Sequence, residues 1–117
     1  MRNFIRVMKA LSDPNRAAVL KLLEAGERCV CELQYLLNLA QPTVSKHLKV
    51  LEEAGLVSKR RQSAWVLYSL ADGSDSEYAA AMLRQLPGWL NHDQAVRRMR
   101  SALPAAAELR MAKQQET

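Results

Sequence analysis

The chain has 117 residues, 49% of them hydrophobic and 25% charged, and carries a net charge of +5. This is the composition of one ordinary globular domain, which at this length buries roughly two-thirds of its unfolded surface around a single core. No apolar run approaches the ~20 residues of a membrane span. The N-terminus MRNFIRVMKAL is charged throughout and lacks the apolar segment of a secretory signal, so a cytoplasmic protein without a membrane partner is expected. The basic balance points to an anionic partner, nucleic acid first. The two cysteines do not suggest a structural disulfide in a cytosolic chain, and they are too few for a four-thiolate zinc site within one subunit.

Phe4, Val7, Met8 and Leu11 recur at i, i+3, i+4 and i+7 and predict an amphipathic helix. Asp13-Pro14 then reads as an N-cap with proline at the first helical position. Val19, Leu20, Leu22 and Leu23 are that helix's buried residues, and Gly26 ends it. After RCVCEL, Leu33, Leu36 and Leu37 mark a short helix, NLAQ a turn, and Pro42 the start of PTVSKHLKVLEEAG. The core face of this last helix is Val44, Leu48 and Leu51, and Gly55 closes it. Ala40 or Gln41 stands where a Ser or Asp cap is expected, a cost of about 1 kcal/mol. The pair of helices, about 31–54, is a helix-turn-helix.

At 56–70 the period changes. SAWVLYSL is aromatic and β-branched and predicts a strand, with VSKRRQ as its antiparallel partner across a polar, basic loop. A hairpin directly after a helix-turn-helix is a wing. ADGSDS is a turn, and the helix EYAAAMLRQL is broken by Pro87-Gly88. Asn91 or Asp93 caps a last helix through QAVRRMRSAL, which Pro104 either continues or restarts. The expected fold is mostly α with a small β-hairpin. It forms one winged helix-turn-helix domain over 1–113, with C-terminal helices at about 75–113 and a flexible tail at 114–117.

A rotation of ~100° per residue places Ser45, Lys46, Lys49 and Glu53 opposite the Val44-Leu48-Leu51 face, with Thr43 on one flank. Polar side chains thus project from the first two turns, the part of a recognition helix that meets base edges. Lys59, Arg60 and Arg61 in the hairpin suit phosphate or a minor groove. Gln41, Thr43, Ser45, Lys46, His47, Lys49, Lys59, Arg60 and Arg61 are the candidate DNA contacts. His47, at the edge of the core face, is a boundary packing or phosphate-contacting residue. Singly, each of these reads as a solvated face; together they favour DNA.

The run SDPNRAAVLKLLEAGERCVCELQYLLNLAQPTVSKHLKVLEEAGLVSKRRQSAWVLYSL resembles the ArsR/SmtB family of metal- and metalloid-responsive winged-helix repressors. The resemblance covers about residues 4–70. ERCVCEL is similar to the family's ELCVCDL box, and QPTVSKHLKVLEEAGLV to its recognition-helix signature. It implies a homodimer on an imperfect inverted repeat of operator DNA, joined through the first and last helices (here about 3–11 and 91–110), and released by an inducer ion. Arsenite-sensing members carry a third cysteine three residues after the second, where this chain has Gln34. A C-terminal zinc site of the family kind would draw on His92, Asp93, Asp75 and Glu77, a region with too few histidines for it.

Cys29 and Cys31 point the same way in extended backbone but ~200° apart in a regular helix. At the junction where the helix of about 32–38 begins, both sulfurs reach one atom. A helix N-terminus with Arg28 alongside favours thiolate, and soft thiolates suit As(III), Sb(III) and similar ions. Arsenite held by two thiolates needs a third ligand from solvent or a small thiol, whereas methylarsenite needs only two sulfurs. No organic cofactor is indicated. The bland alternative makes both cysteines small buried hydrophobes. An enzyme reading lacks a C-x-x-C, a phosphate-cradling loop and a partnered histidine. A closer rival keeps the repressor but switches it by thiol oxidation, persulfidation or another thiophilic metal, although a disulfide over one intervening residue closes a small ring. A third keeps the helices and binds protein instead of DNA.

Overall fold

The computed structural model describes residues 1–116, with side chains through Gln114. Helices α1 (Arg2–Leu11) and α2 (Pro14–Leu23) are followed by a two-residue strand β1 (Arg28–Cys29). Next come α3 (Val30–Leu37), α4 (Gln41–Glu53), and the strands β2 (Val57–Gln62) and β3 (Trp65–Leu70). The chain ends in α5 (Glu77–Gln85), a 3-10 turn (Leu86–Gly88), α6 (Gln94–Ser101) and α7 (Leu103–Glu116). The strands form one antiparallel sheet in the order β1-β3-β2. This is the winged helix-turn-helix expected from the periodicity.

Asp13 is the N-cap of α2: its carboxylate accepts from the N–H groups of Asn15 and Arg16 at 2.8 and 3.1 Å. Val19, Leu20, Leu22 and Leu23 are buried as expected. Lys21, on the same helix, is 1% exposed. Its ammonium donates to the Leu86 carbonyl at 2.9 Å and pairs with Glu24, which also holds Arg100 of α6 at 2.9 Å. A buried charge persists only when paired and hydrogen-bonded, so this group joins α2 to the C-terminal helices.

The turn between α3 and α4 is made at Asn38, in the left-handed conformation (φ 54°, ψ 50°), a common way to end a helix. Ala40 is the N-cap of α4 and supplies no side-chain bond. Val44, Leu48 and Leu51 seat α4 in the core, where it packs on α1, α2, α3 and β2. Gly55 (φ +75°) ends the connection, and a Cβ there would fall 2.5 Å from Cβ of Asp75.

Two features depart from the sequence reading. The wing turn is only Ser63-Ala64, between the paired Gln62 and Trp65, so the basic residues lie in β2 itself and not in a loop. β1 was not anticipated; it pairs Arg28 with Tyr68 and Cys29 with Leu67. Of the two alternatives at Pro104, a continued helix or a restart, the structure has the restart. Asp93 caps α6 through the Val96 N–H, α6 ends at Ala102, and α7 folds back onto α3. The neighbour of α1 at the C-terminal end is α5, through an edge-to-face contact of Phe4 with Tyr78 at 5.4 Å. α7 includes residues 114–116 of the expected tail; Thr117 lies outside the described residues.

Candidate nucleic-acid interface and cysteine junction

The outward face of α4 carries Gln41, Thr43, Lys46 and Lys49, all exposed, with Ser45 half-buried. Gln41 donates from Nε2 to Ser45 Oγ at 3.0 Å, which orders the first turn that the missing cap leaves unsupported. Lys46 and Lys49 make no ion pair among the described residues. His47 points elsewhere. Its Nδ1 lies 3.4 Å from Nη1 of Arg16, and Arg16 also donates to the carbonyls of Ala10 and Lys9 at the end of α1. Arg16 carries only donors, so this contact is a hydrogen bond only where Nδ1 accepts. His47 thus lies at the junction of α1, α2 and α4.

Successive residues of a strand face opposite sides, which divides the wing. Lys59 and Arg61 share one face. Lys59 reaches Glu52 on α4 at 3.5 Å, so this is the side of the recognition helix. Arg60 and Gln62 occupy the other face. Arg60 forks onto Glu27 with contacts of 2.6 and 2.7 Å and donates to Gln62 at 3.1 Å. That hydrogen bond from Arg60, with burial opposing it, holds the Glu27 carboxyl below its ordinary range. The structure thus brings Lys46, Lys49, Lys59 and Arg61 toward one surface and leaves Arg60 out.

Cys29 is the N-cap of α3 and 2% exposed. Its sulfur accepts from the Glu32 N–H at 3.4 Å, and the Glu32 carboxylate accepts from the Cys29 N–H at 3.0 Å, a reciprocal capping box. Cys31, half-buried, stands in the first turn, and the two sulfurs are joined as a disulfide with the Cα atoms 5.3 Å apart. The sequence reading weighed against such a bridge; the extended backbone at Cys29 (φ −83°, ψ 166°) followed directly by helix turns both side chains to one point.

Arg28, expected beside the thiolates, is engaged by a carboxylate. Its Nη1 pairs with Glu32 at 2.9 Å. Glu32 is fully buried and also receives Nη1 of Arg110, from α7, at 3.1 Å. Sequence reasoning missed Arg16, Glu27, Glu32 and Arg110, because their partners lie on other elements. The acidic residue following the cysteines was the one visible signal, as the third member of a capping box. His92 and Asp93 are exposed and the Asp93 carboxylate caps α6; among the described residues no three His, Cys, Asp or Glu side chains gather as a metal site.

The model of a bacterial regulatory protein family, arsR, matches residues 13–59. An uncharacterized HTH-type transcriptional regulator of Methanocaldococcus jannaschii is 43% identical over 67 residues, 56% of this chain and 75% of that one. The arsenical resistance operon repressor of Escherichia coli is 44% identical over 68 residues, 57% and 58% of the two chains. The chain thus spans three-quarters of the first relative but under two-thirds of the second. Among solved structures, the homodimeric winged helix-turn-helix DNA-binding domain of a possible ArsR-family regulator from Mycobacterium bovis superposes with a TM-score of 0.62. It is 30% identical and covers 74% of this chain and 77% of that one. By fold, sequence and the arrangement of its helix-turn-helix, the chain belongs to the arsR family of bacterial regulatory proteins, DNA-binding transcriptional regulators and not enzymes.

Proposed function

We propose that this protein is a homodimeric, cytoplasmic repressor of operator DNA, released when a trivalent arsenical or antimonial binds Cys29 and Cys31. Gln41, Thr43, Ser45, Lys46 and Lys49 read the major groove, with Lys59 and Arg61 on the flanking backbone. The observation that carries the inducer reading is the convergence of both sulfurs at the N-cap of α3, the helix on which α4 rests. Arsenite exchanges two of its three hydroxides for the two sulfurs, the hydroxides leaving as two waters with the thiol protons, and keeps one hydroxide; methylarsenite exchanges both of its hydroxides in the same way, its third valence being held by carbon.

Such a ring redirects the Cys29 sulfur away from the Glu32 N–H and disturbs two connections at once. One is the first turn of α3, and through it the seat of α4. The other is β1, whose pairing with β3 runs directly into the wing. A coupling of about 1–3 kcal/mol is enough for release, and DNA weakens inducer binding by the same factor. Self-association is supported by Phe4 and Ile5, 38% and 42% exposed on α1, a face continuous with α5.

The joined sulfurs favour a second reading, in which two electrons and two protons pass from the thiols to a peroxide or disulfide oxidant. The two are separated by fluorescence anisotropy of a labelled duplex from the gene's upstream region, saturated with protein under reducing conditions. Arsenite and methylarsenite are expected to release it, and Cys29→Ser and Cys31→Ser to abolish release. Release by oxidant alone, reversed by a thiol reductant, would favour the second reading; a complex that neither treatment disturbs would sink the cysteine switch.

A further inference from the structure

Beside the cysteine junction, on the face of the wing away from α4, lies a cavity of about 390 Å³. Arg28 of β1, Arg60 and Gln62 of β2, Arg110 and Gln114 of α7, and Glu27 of the α2–β1 turn line it. Three guanidiniums from three elements meet there. Two carboxylates answer them: Glu27 is held by Arg60, and Glu32, beneath, is shared by Arg28 and Arg110. The cluster keeps one positive charge in excess.

Arg28 is only 9% exposed, and among the described residues its Nε is the buried side-chain polar atom with no hydrogen-bond partner. A buried donor left without a partner keeps its full desolvation cost, and such atoms are few in folded proteins. A polar cavity with surplus donors, surplus positive charge and planar guanidiniums matches an oxyanion, whose paired oxygens a guanidinium engages two at a time.

We propose that this cavity binds a small free oxyanion, a phosphate or short polycarboxylate, between Arg28, Arg60 and Arg110. DNA phosphate is the poorer occupant, because Arg60 faces away from Lys59 and Arg61. An ion seated there joins the residue preceding Cys29 to the wing and to α7, so, on the proposed cysteine switch, its occupancy stabilises the junction that inducer binding disturbs.

The test uses the reduced full-length protein without DNA or arsenical, so its result is independent of the inducer reading. Inorganic phosphate and citrate are titrated separately while the arginine Nε–H signals are followed by NMR and heats by calorimetry. Saturable binding is expected, shifting the Arg28 Nε–H signal. Arg110→Gln, at a partly exposed position, should weaken it about tenfold or more, the loss of one charge-assisted contact. Arg84→Gln, an equal charge change on α5, should leave it unchanged. Absence of saturable binding by both anions overturns the proposal. So does equal weakening by the two variants, or an Arg110→Gln protein that binds the anions normally but loses affinity for duplex DNA.

Discussion

Alternation along β2 gives two adjacent arginines different environments. Arg61 extends from the side of α4 without an ion pair among the described residues, while both forks of Arg60 are engaged by Glu27. Substituting Arg61 by Ala is therefore expected to lower affinity for duplex DNA of any sequence and to reduce the salt slope by about 1. Arg60→Ala should leave that slope nearly unchanged. Anisotropy titrations at several salt concentrations decide it, and equal slopes for the two variants would refute the division of the wing. A run of like charges is visible in the sequence; which member finds a carboxylate is not, since Glu27 lies 33 positions away.

Helix α4 shows what an element discloses by itself. Its start at Pro42, its core stripe and its weak cap are all legible, because proline geometry, period and capping are local. Ala40→Ser supplies the missing side-chain acceptor and should stabilise the protein by about 1 kcal/mol, raising Tm by about 4 °C. Differential scanning calorimetry checks it, and an unchanged Tm would show that the Gln41–Ser45 bond already does the cap's work. β1 illustrates the opposite case. Two residues carry no period, and Arg28-Cys29 becomes a strand only because β3 offers an unpaired edge. Lys21 is similar: nothing local marks it as buried, and it is enclosed only by the Leu86 carbonyl of the 3-10 turn and by Glu24.

At the scale of the molecule, carboxylates with lowered pKa link acid stability to the packing of separate elements. For Asp13, burial alone would raise the value, but the N–H groups of Arg16 and Asn15 and the charges of His47 and Arg16 outweigh it. Glu27 is lowered chiefly by its bond from Arg60. A group whose folded pKa is depressed stabilises the protein above its unfolded pKa and loses that contribution as pH falls through the folded one. Tm should hold down to about pH 5 and then decline below the ordinary glutamate value of 4.5. Glu27→Gln should flatten part of that decline, as read from Tm between pH 6 and 3. A variant curve parallel to the parent's would mean the Arg60–Glu27 pair adds nothing to acid stability.

The sequence by itself determined the helix-turn-helix, the wing, the outward face of α4 and the placing of Cys29 and Cys31 at a helix start. Each rests on residues within a few positions of one another, where period and backbone preference decide. Only the tertiary structure decided which charges remain available for DNA, that α7 returns onto α3, and that three arginines surround one cavity. Those outcomes depend on contacts spanning up to 83 positions, as between Arg110 and the Glu27 carbonyl, and no local preference encodes which distant carboxylate a guanidinium will meet.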